Sequence, residues 1–260
     1  MRPQGLESLQ VRLTWLLPFS AQKESDISNM RLVTVRHGET LANINKIVQG
    51  QLPGELSPHG RLQARLLAQR LSEEKVSHIW SSTLTRARET AEEIVRFHKI
   101  KVETLPELKE RCFGILEGKS FDDYFQALEK SGQPFFRFSP PGGESLQELE
   151  GRVGPLMEKL QALPPSATIL VIAHGIINKI ILKVLLDKTF DDWQKIRQDN
   201  TCVNILETNR QSGKFESLLL NCTNHLNREA DPASRNTQPA SGISYENLSG
   251  LSSLPGPPDH

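Results

Sequence analysis

Two apolar stretches of the chain each run into a His-Gly pair. Residues 31–35 lead into Arg36-His37-Gly38-Glu39-Thr40, and residues 167–173 lead into His174-Gly175. Apolar runs of this length read as strands, and open α/β sheets bind ligands at the carboxyl ends of their parallel strands. Two imidazoles meeting there would suit anionic chemistry, above all phosphoryl transfer. A phosphoryl group in transit spreads charge over three oxygens, so its site needs several fixed donors and preferably guanidinium forks. Neutral imidazole is a competent nucleophile near neutral pH. A departing alkoxide then needs a proton from a positioned acid.

The chain holds a candidate for each part. Arg36 sets a cation beside His37, and Gly38 removes side-chain bulk so that backbone and phosphate can approach. Arg86 lies just inside a helix start, where unpaired backbone N–H groups attract anions. His174 offers a second imidazole to the phosphoryl group. Glu110 is the candidate acid, since a bound phosphate dianion would favour its protonated form. Taken singly, each has a bland reading: Arg86 a solvated helix cation, Glu110 a surface carboxylate, His174 a satisfied core histidine. Their joint placement at strand and helix ends argues for one site.

The elements that must position them follow from pattern. Ser57-Pro58 reads as an N-cap and first helical residue, opening a helix whose apolar stripe would be Leu62, Leu66, Leu67 and Leu71. A short strand at His78-Ile79-Trp80 leads through Ser81-Ser82 into a helix from Thr85 to Phe97. Lys101 to Thr104 alternates as a strand, and a loop at Phe113 to Gly118 leads into a segment around Phe121 to Leu128. Ser145 with Glu148 forms a capping box for a helix that Gly154-Pro155 should kink. Gly175 to Leu186 is a strongly apolar helix, and Cys202 to Glu207 with Phe215 to Leu220 reads as a hairpin turning at Gly213. Strands alternating with helices predict an α/β fold of three layers, α/β/α, its sheet mostly parallel with an antiparallel edge hairpin.

Composition bounds the function. The 260 residues carry 31 Lys+Arg and 31 Asp+Glu, so the chain has no net charge. That argues against nucleic acid or a membrane surface as partner, both of which leave a basic excess. No run is long enough to span a bilayer. Three cysteines without metal spacing suit reduced thiols and a cytoplasmic location. Residues 1–29 read as a disordered extension. Glu7, Pro18 and the missing cleavage site count against secretion, and the segment matches a mitochondrial presequence only in part. Residues 227–260, rich in Ser, Pro, Asn and Gly, read as a disordered tail. The domain is thus residues 30–226. A small phosphorylated metabolite is the expected partner, and the composition names no protein partner.

The arrangement resembles the histidine phosphatase superfamily, also called phosphoglycerate mutase-like. Its hallmark is present from Arg36 to Asn43, its Ser-x-Leu-x-Arg-Ala pattern from Ser82 to Ala87, and its Leu-x-Glu block at Leu108 to Glu110. Gly114 to Gly118, Gly143-Glu144-Ser145 and His174-Gly175 follow in the order that family has them. The resemblance implies that His37 becomes a phosphohistidine, with Arg36, Arg86 and His174 clamping the phosphoryl group. It adds Asn43, Gln49, Gly50 and Gly175 to the binding residues and gives Glu110 the leaving oxygen's proton. Neither a metal nor any other cofactor is implied.

Within the family, Ile47 to Gln51, Ser139 to Ser145 and Asn224-His225-Leu226 look like the TIGAR-type fructose-2,6-bisphosphatases. The chain departs from the animal members of that type in having little between its Gly143-Glu144 helix and the His174 strand. Cations near Arg111 or Lys119 are candidates for a second phosphate. The expected activity is a metal-independent phosphomonoesterase on a small sugar phosphate or bisphosphate, with fructose 2,6-bisphosphate as the specific expectation. The alternatives are a 2,3-bisphosphoglycerate-linked phosphatase or phosphoglycerate mutase, and a catalytically idle module that binds phosphorylated ligands. The short stretch from Glu110 to Glu144 favours hydrolysis over mutase action.

Overall fold

Six strands form one sheet in the order β3-β2-β4-β1-β5-β6. They are β1 (Arg31–Arg36), β2 (His78–Ser82), β3 (Val102–Leu105), β4 (Thr168–Ala173), β5 (Val203–Thr208) and β6 (Phe215–Cys222). A computed structural model describes residues 29–229. The extension before residue 29 and the tail beyond Glu229 lie outside those residues. The described chain ends in a 3-10 helix, Asn224–Glu229, just past the expected domain boundary.

β1, β4, β2 and β3 run parallel, while β5 pairs antiparallel with β1 and β6 antiparallel with β5. This is the expected parallel centre with an antiparallel edge hairpin. Successive strand side chains alternate faces, which sorts the core into two clusters. Leu32, Trp80, Ile169 and Val171 face α5 (Leu146–Arg152), α6 (Gly154–Gln161) and α7 (Gly175–Leu185). Val33, Val35, Ile79, Leu170 and Ile172 face α2 (Pro58–Leu71) and α3 (Thr85–Val95). The result is three layers with the central strands buried on both sides.

Several helices differ from the expectation. α2 turns Gln63, Ala64, Leu67, Ala68 and Leu71 inward, leaving Leu62 and Leu66 at the edge of its apolar face. Small residues at its centre let α2 pack close to α3, an effect that counting leucines does not register. α1 (Leu41–Ile44) and α8 (Phe190–Lys195) are too short to show periodicity, although Thr40 with Asn43 and Thr189 with Asp192 are capping boxes. α4 (Phe121–Ser131) extends the segment expected there. The helix from Ser145 breaks at Val153 into α5 and α6, where Gly154-Pro155 predicted a kink.

The register of the two central strands positions the chemistry. Arg36 pairs with Ala173, so His37 and His174 leave the sheet side by side. The His37 backbone N–H donates to the Ala173 carbonyl at 3.0 Å.

Candidate active site

His37 is 3 % exposed and His174 is fully buried, with ring centroids 5.1 Å apart. His37 Nδ1 lies 2.7 Å from the Gly38 carbonyl oxygen, which can only accept, so the ring hydrogen sits on Nδ1. The lone pair is then on Nε2, where Arg86 Nε donates at 3.3 Å. Arg86 is 1 % exposed. Its two Nη groups donate to the Gly50 carbonyl at 2.7 Å and the Leu52 carbonyl at 3.2 Å, which aims the guanidinium across the site. His174 Nε2 lies 2.8 Å from Ser82 Oγ, which accepts from the Leu84 N–H and whose own hydrogen meets no other acceptor among the described residues. That leaves the His174 hydrogen on Nδ1, a buried donor without a partner among the described residues. Arg36 Nε is a second such donor, while its Nη1 is tied to the Gln198 carbonyl at 2.6 Å. Buried donors left unmade are costly; an anion with several oxygens would satisfy both.

A cavity of about 410 Å³ opens over Arg36, His37 and Arg86, within the size range of small-ligand sites, while His174 is fully buried beside His37 and is not among its lining residues. Arg36, His37, Arg86 and Glu110 line it, as do Asn43, Gln49, Gly50 and Gly175. Asn43 Oδ1 accepts from the Thr40 N–H and from Asn200, so the group it can turn to a ligand is its NH2. Gln49 Oε1 accepts from Thr40 Oγ1 at 3.1 Å, and its Nε2 lies against Gly54. A Cβ on Gly175 would stand 3.6 Å from Arg36 Nε and 3.8 Å from Glu110 Oε2, which measures how tightly these groups converge. Among the described residues no cluster of three or more His, Cys, Asp or Glu side chains could hold a metal ion.

Glu110 is held by the start of α7. Its Oε2 accepts from the Ile176 N–H at 3.0 Å, and its Oε1 accepts from the Ile177 and Arg111 N–H groups at 3.1 and 2.9 Å. With both lone pairs of Oε1 engaged and one of Oε2, the position left for a proton or a ligand is on Oε2. Arg152 steadies the chain behind it, donating to the Lys109 and Glu110 carbonyls at 2.9 and 3.2 Å.

One sequence expectation is made specific and one is corrected. The backbone that Gly38 admits is that of Gly60, because a Cβ there would lie 2.4 Å from the Gly60 carbonyl oxygen. Arg111 is not a pocket cation. It is 1 % exposed and spends its guanidinium on the Glu144 and Phe138 carbonyls and the Tyr124 hydroxyl, over the Phe113 ring. Lys119 is exposed and does not line the cavity. Besides Arg36 and Arg86, the cations that do are Lys179 on α7, Lys195 at the end of α8 and Arg197 just after it. Lys179 is 2 % exposed, with its Nζ 3.8 Å from the centre of the Trp193 ring. Its position in the chain carries a signal: four residues after Gly175 on one helix is the same face.

Burial drives the His37 imidazole well below its ordinary range, and the neighbouring charges of Arg86 and Arg36 add to this against the Gly38 hydrogen bond. His174 is lowered mainly by burial too, with Arg86, His37, Arg36 and Arg152 contributing. Both rings are therefore neutral at neutral pH, as a nucleophile and a directed donor require. Unfolded histidine takes up its proton near pH ~6.5, before the folded protein does. The stability these rings contribute is complete above that pH and is lost as pH falls through their lower folded values. The melting temperature of the ligand-free protein is expected to fall steadily below pH ~6.5, and His37→Ala should reduce that slope in calorimetry.

Comparison with known proteins agrees with this geometry. Residues 32–222 match the family model for the histidine phosphatase superfamily, branch 1. A probable phosphoglycerate mutase from Photorhabdus laumondii is 35 % identical over 175 residues, covering 66 % of this chain and 81 % of the relative. The phosphoglycerate mutase-like protein 4 of Arabidopsis thaliana is 33 % identical over 188 residues, covering 69 % and 80 %. Among solved structures, the alpha-ribazole phosphatase of Shigella flexneri superposes with a TM-score of 0.68 at 26 % identity, covering 75 % of this chain and 97 % of the other. A mycobacterial glucosyl-3-phosphoglycerate phosphatase gives 0.66 at 26 % identity, covering 75 % and 100 %.

Proposed function

The chain belongs to the histidine phosphatase superfamily, and from that premise we propose a phosphomonoesterase that works through a phosphohistidine at His37. His37 Nε2 attacks phosphorus, forming the N–P bond as the P–O bond to the leaving group breaks. Glu110 gives the departing oxygen its proton. Water then attacks the phosphohistidine while Glu110 takes up its proton, releasing phosphate and restoring neutral His37. Arg36, Arg86 and His174 Nδ1 hold the phosphoryl oxygens through both steps. The observation that carries this reading is the 2.7 Å contact of His37 Nδ1 with the Gly38 carbonyl oxygen, which assigns the ring hydrogen to Nδ1 and leaves the Nε2 lone pair beside Arg86.

The substrate we propose is a small sugar bisphosphate, specifically fructose 2,6-bisphosphate. Phe113, Phe121 and Ile47 give the cavity an apolar wall that suits a sugar face, and Lys179 supplies a buried cation for a second phosphate. Lys195 and Arg197 sit on the exposed rim, close to Asp192 and Asp199, and count for less. Burial lowers the Lys179 ammonium to about 7, so a bound anion would hold it charged. The names of the sequence relatives favour a second reading, phosphoglycerates as substrates.

Hydrolysis of a panel of sugar phosphates and glycerates decides between them. Fructose 2,6-bisphosphate should lead the panel; selective turnover of 2,3-bisphosphoglycerate would replace it and leave the mechanism intact. No turnover of any substrate, an aryl phosphate included, would leave a binding module. Lys179→Met should lower kcat/KM for the preferred bisphosphate, relative to an aryl phosphate, by about 10–100-fold, the worth of one charge-assisted hydrogen bond.

A further inference from the structure

Thr201 has φ +55° and is fully buried. Left-handed backbone is a genuine outlier for a β-branched residue and persists only where the surroundings enforce it. Here it turns two donors onto one atom, the His37 carbonyl oxygen. The Thr201 N–H reaches it at 3.3 Å and Asn200 Nδ2 at 3.1 Å, and the same Asn200 amide group donates to Asn43 Oδ1 at 3.2 Å. The turn therefore grips the nucleophile's own peptide and a cavity-lining amide together.

What holds the turn comes from 24 residues further along. His225 is 4 % exposed, in the 3-10 helix Asn224–Glu229, with its Nε2 3.1 Å from Thr201 Oγ1. Its Nδ1 lies 3.2 Å from Arg70 Nη1, and a guanidinium can only donate, so the ring hydrogen must be on Nε2. Thr201 Oγ1 accepts that hydrogen and passes its own to the Asn200 carbonyl at 2.7 Å. Arg70, in the last turn of α2, is anchored by the Cys222 carbonyl and sulfur at 3.1 and 3.3 Å. A directed chain of hydrogen bonds thus runs from α2 through His225 and Thr201 Oγ1 to the Asn200 carbonyl. The turn it fixes donates to the His37 carbonyl through the Thr201 N–H and Asn200 Nδ2. Burial, reinforced by the Arg70 charge, keeps the His225 ring neutral by lowering it to about 4.

We propose that His225 is a positioning residue for the nucleophile: by fixing strained Thr201, it sets the angle at which His37 Nε2 meets the phosphoryl group. The inference rests on the phosphohistidine reading. It predicts a loss in the rate of phosphoryl transfer to His37 rather than in ligand binding, since His225 is not among the residues that line the cavity.

Rapid-quench measurement of phosphoenzyme formation from p-nitrophenyl phosphate tests it. His225→Leu should slow the step about tenfold with KM changed less than threefold. His225→Gln, whose amide can donate near the Nε2 position, should recover most of the rate. Glycine adopts φ near +55° without strain, so adding His225→Leu to Thr201→Gly should cost less than twofold more. A His225→Leu rate within threefold of wild type overturns the assignment, as do a loss confined to KM, no recovery in His225→Gln, and full multiplication of the losses in the double variant. Should His225→Leu fail to fold, Thr201→Val removes the accepting oxygen with little change of shape, and the same criteria of rate and KM apply. Failure of the parent reading is separate, because wild type would then form no phosphohistidine at all.

Discussion

His37→Ala is expected to lower kcat by at least about 10⁴-fold on every substrate, the scale of losing a covalent nucleophile whose partners act as one unit. The variant should fold. The His37 side chain makes one backbone hydrogen bond, to Gly38, while its peptide is held separately by Ala173, Asn200 and Thr201. Alanine also removes a ring buried beside two guanidinium groups, so the ligand-free variant should melt no lower than wild type at pH 6. Phosphate binding should survive, because Arg36, Arg86 and His174 remain. Wild type quenched during turnover should carry acid-labile phosphate on His37, and the variant none. Full activity in His37→Ala, or no trappable phosphoenzyme in wild type, would sink the covalent mechanism.

What the sequence made legible follows from how locally each feature is encoded. β1 and β4 are continuous apolar runs in a sheet covered on both faces, so pattern alone finds them. Their parallel register then brings His37 and His174 together without further information. Arg86 and Glu110 were candidates by residue type and place, but a cation on a helix start and a carboxylate at a loop end have no periodic signature, so it took the resemblance to weigh them above their bland readings. Arg111 shows how adjacency misleads. In an extended segment successive side chains point opposite ways, so Glu110 faces the cavity while Arg111 enters the core among Tyr124, Phe113 and Phe138. Lys179 was hidden in a helix that otherwise reads as pure core; only its spacing from Gly175 betrays it. Asn200 and Thr201 carry no sequence signal, since their roles come from one backbone turn and from contacts with residues more than a hundred positions away.

Glu110→Gln should separate the two halves of the reaction. Glutamine keeps the length and, with its carbonyl oxygen at the Oε1 position, the bonds from the Ile177 and Arg111 N–H groups, giving up only the one from Ile176. Its amide, however, cannot lend a proton to a departing alkoxide. Oε2 is the atom with a free position, and it stands on the cavity side beside Gly175. For a sugar phosphate, whose leaving alkoxide is strongly basic, loss of general acid catalysis should lower kcat by about 10²–10⁴-fold. A p-nitrophenolate leaves well without a proton, so phosphorylation of His37 by the aryl ester should slow far less. Hydrolysis of the phosphohistidine still lacks its base, and that step should become rate-limiting. With the aryl substrate the variant should therefore show a burst of p-nitrophenol close to one equivalent, then a slow steady state and accumulated phosphoenzyme. Sugar phosphates should show no burst. Equal losses on both substrate types, without a burst on either, would mean that Glu110 only organises the start of α7. The proton would then have to come from another group lining the cavity.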